Sequence, residues 1–181
     1  MVQMNIFSEF CKLMNFKYPV NIYAQAGKSE ERSNVKDGIF VGDDTSEWED
    51  FFRTFSQSDF HLRPFSLSEV GQKRDGFLYL DIEAEVLEID SLPTPTCITK
   101  TQRGFHVYWK LKDFSGESEE LMSICANLAK RVGGSDLQYP YKKSSCIRLP
   151  GSYDLRKKEP HLVTIIGGSG AEYSIDKFAN F

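Results

Sequence analysis

The sequence predicts an α+β fold, a sheet with helices packed against it, and three observations carry that prediction. Two segments, Phe77–Glu85 and Phe105–Leu111, alternate apolar and polar residues as half-buried strands do. Between residues 117 and 132, Leu121, Met122, Cys125, Leu128, Ala129 and Val132 recur at helical spacing, and Gly133-Gly134 closes the segment. Strands follow that helix at Ser145–Leu149 and Leu162–Ile166, giving a strand-helix-strand order with no internal repeat. A length of 181 residues suits one domain with a sizeable core.

The remaining elements follow in chain order. Residues 5–16 place Ile6, Phe7, Phe10, Leu13 and Met14 at helical spacing. Val20–Ala24 and Gly38–Val41 are predicted strands, separated by a polar loop. Ser46-Glu47-Trp48-Glu49 is a capping box, and it opens a helix whose Trp48, Phe51, Phe52 and Phe55 form a core stripe. From there to about Arg74 no period stands out. Cys97–Thr101 is a short strand, Gly167–Gly170 a turn, and Ser174 the cap of a short last helix.

Composition narrows the setting. No apolar run is long enough to span a membrane as a helix, and the N-terminus lacks the basic and apolar regions of a secretory signal. Cys11, Cys97, Cys125 and Cys146 are scattered without a C-x-x-C pair, against a zinc ribbon or a disulfide framework, so a cytoplasmic location is expected. The net charge of −4 hides an asymmetry: between Lys100 and Lys158 twelve Lys and Arg stand against six Asp and Glu. A basic face on an acidic body can track a phosphate backbone.

Three motifs carry chemistry. In Leu78-Tyr79-Leu80-Asp81-Ile82-Glu83-Ala84-Glu85, alternation puts Asp81 and Glu83 together on the face opposite Leu78, Leu80 and Ile82. Two carboxylates so placed repel each other, and a divalent cation binding both removes that cost. In Arg103-Gly104-Phe105-His106-Val107-Tyr108-Trp109-Lys110-Leu111, the apolar residues define one face. His106, Tyr108 and Lys110 are then expected on a polar face, with Arg103 in the turn and Lys100 before it, all able to donate to phosphate. The third is Gly133-Gly134-Ser135-Asp136, followed by Arg148-Leu149-Pro150-Gly151-Ser152 and the basic Arg156-Lys157, with Arg148 alternating against Ile147 and Leu149.

An acidic D-x-E strand, then R-G-F-H with a trailing Y-W, then G-G-x-D after a helix, then R-L-P-G-S is an ordered set. It resembles the archaeo-eukaryotic primase superfamily, in particular the primase-polymerase domains of plasmid and virus replication proteins, over roughly residues 75–181. The resemblance implies an RRM-like antiparallel sheet with packed helices, and an N-terminal α/β unit over residues 1–74 within one catalytic domain. It implies a DNA primase/polymerase that transfers nucleotides from NTP or dNTP on a single-stranded DNA template, through two Mg²⁺ or Mn²⁺ ions. Asp81, Glu83 and Asp136 match the metal carboxylates; His106 matches a contact to the incoming nucleotide's phosphates, with Arg148, Arg103 and Lys100 near the nucleotide. Tyr108, Lys110, Arg156 and Lys157 would meet the template, Tyr108 as an exposed stacking surface. A helicase domain or subunit is a further expected partner. Gln102 and Asp154 depart from the pattern, which often has glycine and asparagine there, and both are expected in turns.

Two rival readings are weaker. A nicking initiator of rolling-circle replication needs paired metal-binding histidines, whereas His61, His106 and His161 are isolated. A non-catalytic nucleic-acid-binding accessory domain gains nothing from carboxylates that face phosphates.

Overall fold

The computed structural model describes residues 2–16, 20–26, 38–40, 58–62, 76–112, 118–132, 147–154 and 159–181. The chain opens with helix α1 (Val2–Met14), which buries Phe7, Phe10 and Met14 along one stripe. It stops where Asn15 turns into the left-handed region at φ 44°, a conformation asparagine tolerates better than most residues. The predicted helix after Ser46, with Trp48, Phe51, Phe52 and Phe55, lies outside the described residues.

Strands β1 (Val20–Ala26), β2 (Gly38–Phe40) and β3 (Ser58–Leu62) follow, the last in the stretch where the sequence shows no period. They precede β4 (Phe77–Ile82), β5 (Cys97–Lys100), β6 (Phe105–Leu111) and helix α2 (Ser118–Ala129). The C-terminal part holds β7 (Ile147–Arg148), β8 (Tyr153–Asp154), β9 (His161–Leu162), β10 (Thr164–Gly167) and β11 (Glu172–Tyr173). A 3-10 turn, Ile175–Phe178, ends the chain after Ser174. No described helix is long and apolar enough to cross a membrane.

These strands make two main sheets. In one the order is β2-β1-β3-β7; in the other β10, β5 and β6 run side by side, and β4 and β11 also pair with β6. The pairing is antiparallel except for the short β6–β11 contact. The expected N-terminal unit is tied to the second half twice. Strand β7 pairs with β3, setting Arg148 opposite His61. Helix α1 packs on the second sheet, where Phe10 meets the Tyr108 ring edge-on at 5.2 Å and Phe16 meets Phe77 at 6.1 Å.

That second contact corrects the expected exposure of β6. Alternation predicts one buried and one polar face, yet every residue from Phe105 to Leu111 is buried. Trp109 packs against Phe178 on one side, while α1 covers Tyr108 on the other. A central strand with both faces covered loses its half-exposed character. Helix α2 lies against β4, with Leu121, Cys125, Leu128, Ala129 and Val132 buried as predicted. The Tyr79 N–H donates to Cys125 Sγ at 3.4 Å. Cys11, Cys97 and Cys125 are free, and burial pushes each thiol up to about 12, so they are packing groups rather than nucleophiles.

Candidate active site

The face of β4 that carries Asp81 is sealed at one end and open at the other. Phe77 and Tyr79 share it and are 3% and 0% exposed. At the end of the strand the Asp81 and Glu83 side chains are 20% and 40% exposed. Strand β4 ends at Ile82, earlier than alternation predicts, so Glu83 stands just past it. A close approach of the β5–β6 hairpin accompanies this end. A Cβ on Gly104 would sit 1.9 Å from the Ile82 carbonyl oxygen, so only glycine fits in the R-G-F-H turn. The turn is closed by the Thr101 N–H donating to the Gly104 carbonyl and the Gly104 N–H donating to the Thr101 hydroxyl.

Cross-strand register then assembles the site. Asp81 pairs with His106 on β6, and Thr99 on β5 pairs with His106 from the other side. His106 Nε2 lies 3.6 Å from Asp81 Oδ1, and its Nδ1 lies 3.3 Å from the Tyr108 hydroxyl. Arg103 Nη1 donates to Glu83 Oε1 at 3.1 Å. Lys100, expected near the nucleotide, pairs instead opposite Phe105 on the face of β5 away from Thr99 and His106, its ammonium 3.9 Å from the Phe105 ring centre, a cation–π contact. The structure thus brings Asp81, His106, Glu83 and Arg103 together around one strand end, with Tyr108 behind them.

Other expected site residues are buried or lie outside the described residues. Tyr108 is fully buried, so it offers no stacking surface to a template, and Lys110 is 2% exposed with its ammonium 5.5 Å from the Phe16 ring centre. Both expectations fail because α1 covers that face. His106, at 4% exposure, is also an interior residue at the rim of the site rather than a side chain on an open face. Arg148 belongs to the other sheet and is 8% exposed, its Nη1 3.5 Å from Asp154 Oδ2. Asp154, expected in a turn, lies in β8 and is fully buried. The R-L-P-G-S segment between them is a tight turn. The Ser152 N–H and hydroxyl both donate to the Leu149 carbonyl, and Gly151 takes φ 87° at the third corner after Pro150, as a type II turn requires. Asp136, Arg156 and Lys157 lie outside the described residues.

Thr99 is the member of this cluster that sequence reasoning misses. Its signal is the hairpin itself: a turn closed between Thr101 and Gly104 sets Thr99 opposite His106. Electrostatics mark the same interior. Burial pushes the Tyr108 phenol well above its ordinary range; the nearby Cys97 thiol and Asp81 carboxylate push the same way, and a contact with Thr99 works against them. Among the described residues no group of three His, Cys, Asp or Glu is arranged to hold a metal. Asp81 and Glu83 are nevertheless hard oxygen donors, partly exposed at the open end of an otherwise buried face, and that donor chemistry fits Mg²⁺ or Mn²⁺.

No family model matches the sequence, and no curated protein does. Solved structures do match its fold. The catalytic domain of primase RepB', solved in complex with initiator DNA, superposes with a TM-score of 0.73 at 16% identity, over 99% of this chain and 93% of that one. A longer RepB' primase structure gives a TM-score of 0.72 at 16% identity; the match covers 98% of this chain but only 61% of the primase. The archaeo-eukaryotic primase domain of the cyanophage S-2L primase-polymerase gives 0.66 at 14% identity, over 97% and 96% of the two chains. This mixed assembly of helices and antiparallel sheet therefore shares its fold with the RepB' primase catalytic domain and the cyanophage primase-polymerase domain.

Proposed function

We propose that the chain is a DNA primase/polymerase domain, transferring nucleotides from NTP or dNTP onto a strand templated by single-stranded DNA. The observation that carries this reading is the emergence of Asp81 and Glu83 at the open end of β4, beside His106, in a fold shared with primase catalytic domains. Asp81 and Glu83, joined by Asp136, would hold two divalent ions. When bound, such ions lower the pKa of the attacking hydroxyl and offset charge on the departing pyrophosphate.

The chain's own residues do the rest. Asp81 is steadied by the imidazole behind it, and Glu83 by Arg103. Arg103, in the β5–β6 turn beside Glu83, supplies positive charge where triphosphate charge grows in the transition state. Arg156 and Lys157 fit a basic surface that follows the template backbone, so binding should weaken with salt. The antiparallel β4–β6 sheet, with α2 packed against it, is consistent with an RRM-like catalytic half. Replication of a plasmid, virus or similar element, with a helicase as partner, is the setting that this reading fits.

The test is nucleotide incorporation on single-stranded DNA, primed and unprimed, with Mg²⁺ or Mn²⁺, beside Asp81→Ala. The expected result is metal-dependent product that Asp81→Ala loses while its circular dichroism melt stays near the parent's. A folded Asp81→Ala that still extends primers would refute the assignment, and nicking of a closed circle without extension would replace it with the nuclease reading.

A further inference from the structure

The β5–β6 turn holds a positive charge of the chain's own against the acidic pair. A Cβ on Gly104 would come within 1.9 Å of the Ile82 carbonyl oxygen and 2.9 Å of the Ala84 nitrogen, which belong to the two peptide groups flanking Glu83. From the other side of the turn the Gln102 amide donates to the Glu159 carbonyl at 3.3 Å. The tip of the turn is thus fixed between two backbone segments, and Arg103, between Gln102 and Gly104, is kept beside Glu83. Its Nη1 donates to Glu83 Oε1 at 3.1 Å, with the two side chains 50% and 40% exposed. A guanidinium carries five N–H donors in a fork that suits two oxygens at once, and this bond uses one of them.

Two effects of opposite sign follow from that placement. A divalent cation on Glu83 must share the carboxylate with the guanidinium or displace it, and positive charges at such range repel each other. Arg103 therefore opposes the cation. The pair is also exposed and screened, so it is weak; unlike the buried Arg148–Asp154 pair, it can be exchanged. A guanidinium released from Glu83 stays within a side chain's reach of the site, because the turn beneath it is fixed on both sides. Phosphate oxygens fit its fork better than one carboxylate oxygen does, so the same residue favours a triphosphate.

We propose that Arg103 is a displaceable counter-charge: it sits on Glu83 until a divalent cation takes that carboxylate, and it then turns to the triphosphate. The inference rests on the reading of Asp81 and Glu83 as cation ligands and deepens it. Through this one side chain each ligand helps the other, since a triphosphate that draws the guanidinium away frees Glu83, and a cation on Glu83 frees the guanidinium.

The experiment compares the full chain with Arg103→Gln and Glu83→Gln. Mn²⁺ binding, read as loss of the free-ion electron paramagnetic resonance signal, should be about fivefold tighter in Arg103→Gln than in the parent, the size of an exposed ion pair. Binding of dATP at saturating Mn²⁺ without template, read by calorimetry, should be about tenfold weaker in the same variant. A merely structural arginine would move both affinities the same way, or neither. An Arg103→Gln chain that binds Mn²⁺ no tighter than the parent overturns the proposal, and so does one that binds dATP equally well. In the parent alone, the Arg103 side-chain ¹H–¹⁵N signal should shift with Mg²⁺ and again with dATP; a signal unmoved by both overturns the proposal with no variant needing to fold. Failure of the underlying reading looks different: a parent that binds no Mn²⁺, or a Glu83→Gln chain that binds it as the parent does, removes Glu83 as a ligand and the proposal with it.

Discussion

Arg103 and Arg148 stand in motifs of similar make, each with a glycine close by and an apolar strand alongside. The Arg103 side chain is half exposed and pairs with Glu83, itself 40% exposed, at the rim of the site. The Arg148 side chain is 9% exposed and pairs with Asp154, which is fully buried, in the other sheet. The glycines differ too. Gly104 lets the hairpin close on the end of β4, while Gly151 turns the chain at φ 87° under α1, where a Cβ would sit 2.4 Å from the Gln3 carbonyl oxygen. One arginine motif frames a site that opens to solvent. The other ties strands together. What separates them is the cover that distant segments lay over each, not the residues themselves.

Substitutions can sharpen or break that contrast. The largest effect should come from Arg148→Met, which removes a positive charge from beside a buried carboxylate and should cost about 3–5 kcal/mol in urea unfolding. Adding Asp154→Leu should recover much of the loss, because an apolar pair of similar volume is often neutral in a buried site; a mild single variant would place Arg148 with the exposed group. Gly104→Ala comes next. Its methyl must move the Ile82 backbone, with an expected loss of about 1–3 kcal/mol and a fall in nucleotide incorporation beyond what the folded fraction explains. Unchanged activity at equal folded fraction would mean that the hairpin end does not position Asp81. Arg103→Ala should be the smallest in stability, below about 1 kcal/mol, since the pair is solvent-exposed and screened by salt. Its incorporation rate should still fall, and a rate equal to the parent's would remove Arg103 from the site.

Tyr108 and Lys110 teach the same lesson from inside one strand. Their positions opposite Val107 and Trp109 are legible in the alternation, and the register that sets Thr99 opposite His106 follows from the hairpin turn, whereas Asp81 meets His106 through the long-range β4–β6 pairing. That the face is shut is not legible there, because the cover comes from Phe10 and Phe16, some ninety residues away in sequence. Asp154 reads as a turn residue beside Arg156 and Lys157 until β8 carries it into the interior against Arg148. Strand β3 has no periodic signal of its own, and its place comes from pairing with β1 and β7.

Sequence alone determined what local chemistry can specify: the period of β4, β6 and α2, the D-x-E carboxylates, the glycine in the hairpin and the Pro-Gly turn. Those depend on side-chain spacing and on backbone angles within a few residues. Tertiary structure decided which of the resulting faces meet water. Burial is a property of what packs on top, and here the packing elements come from the far end of the chain. Asp81 and Glu83 emerge at the open end of β4, whereas Phe10 and Phe16 lie over Tyr108 and Lys110, and Arg148 is buried against Asp154.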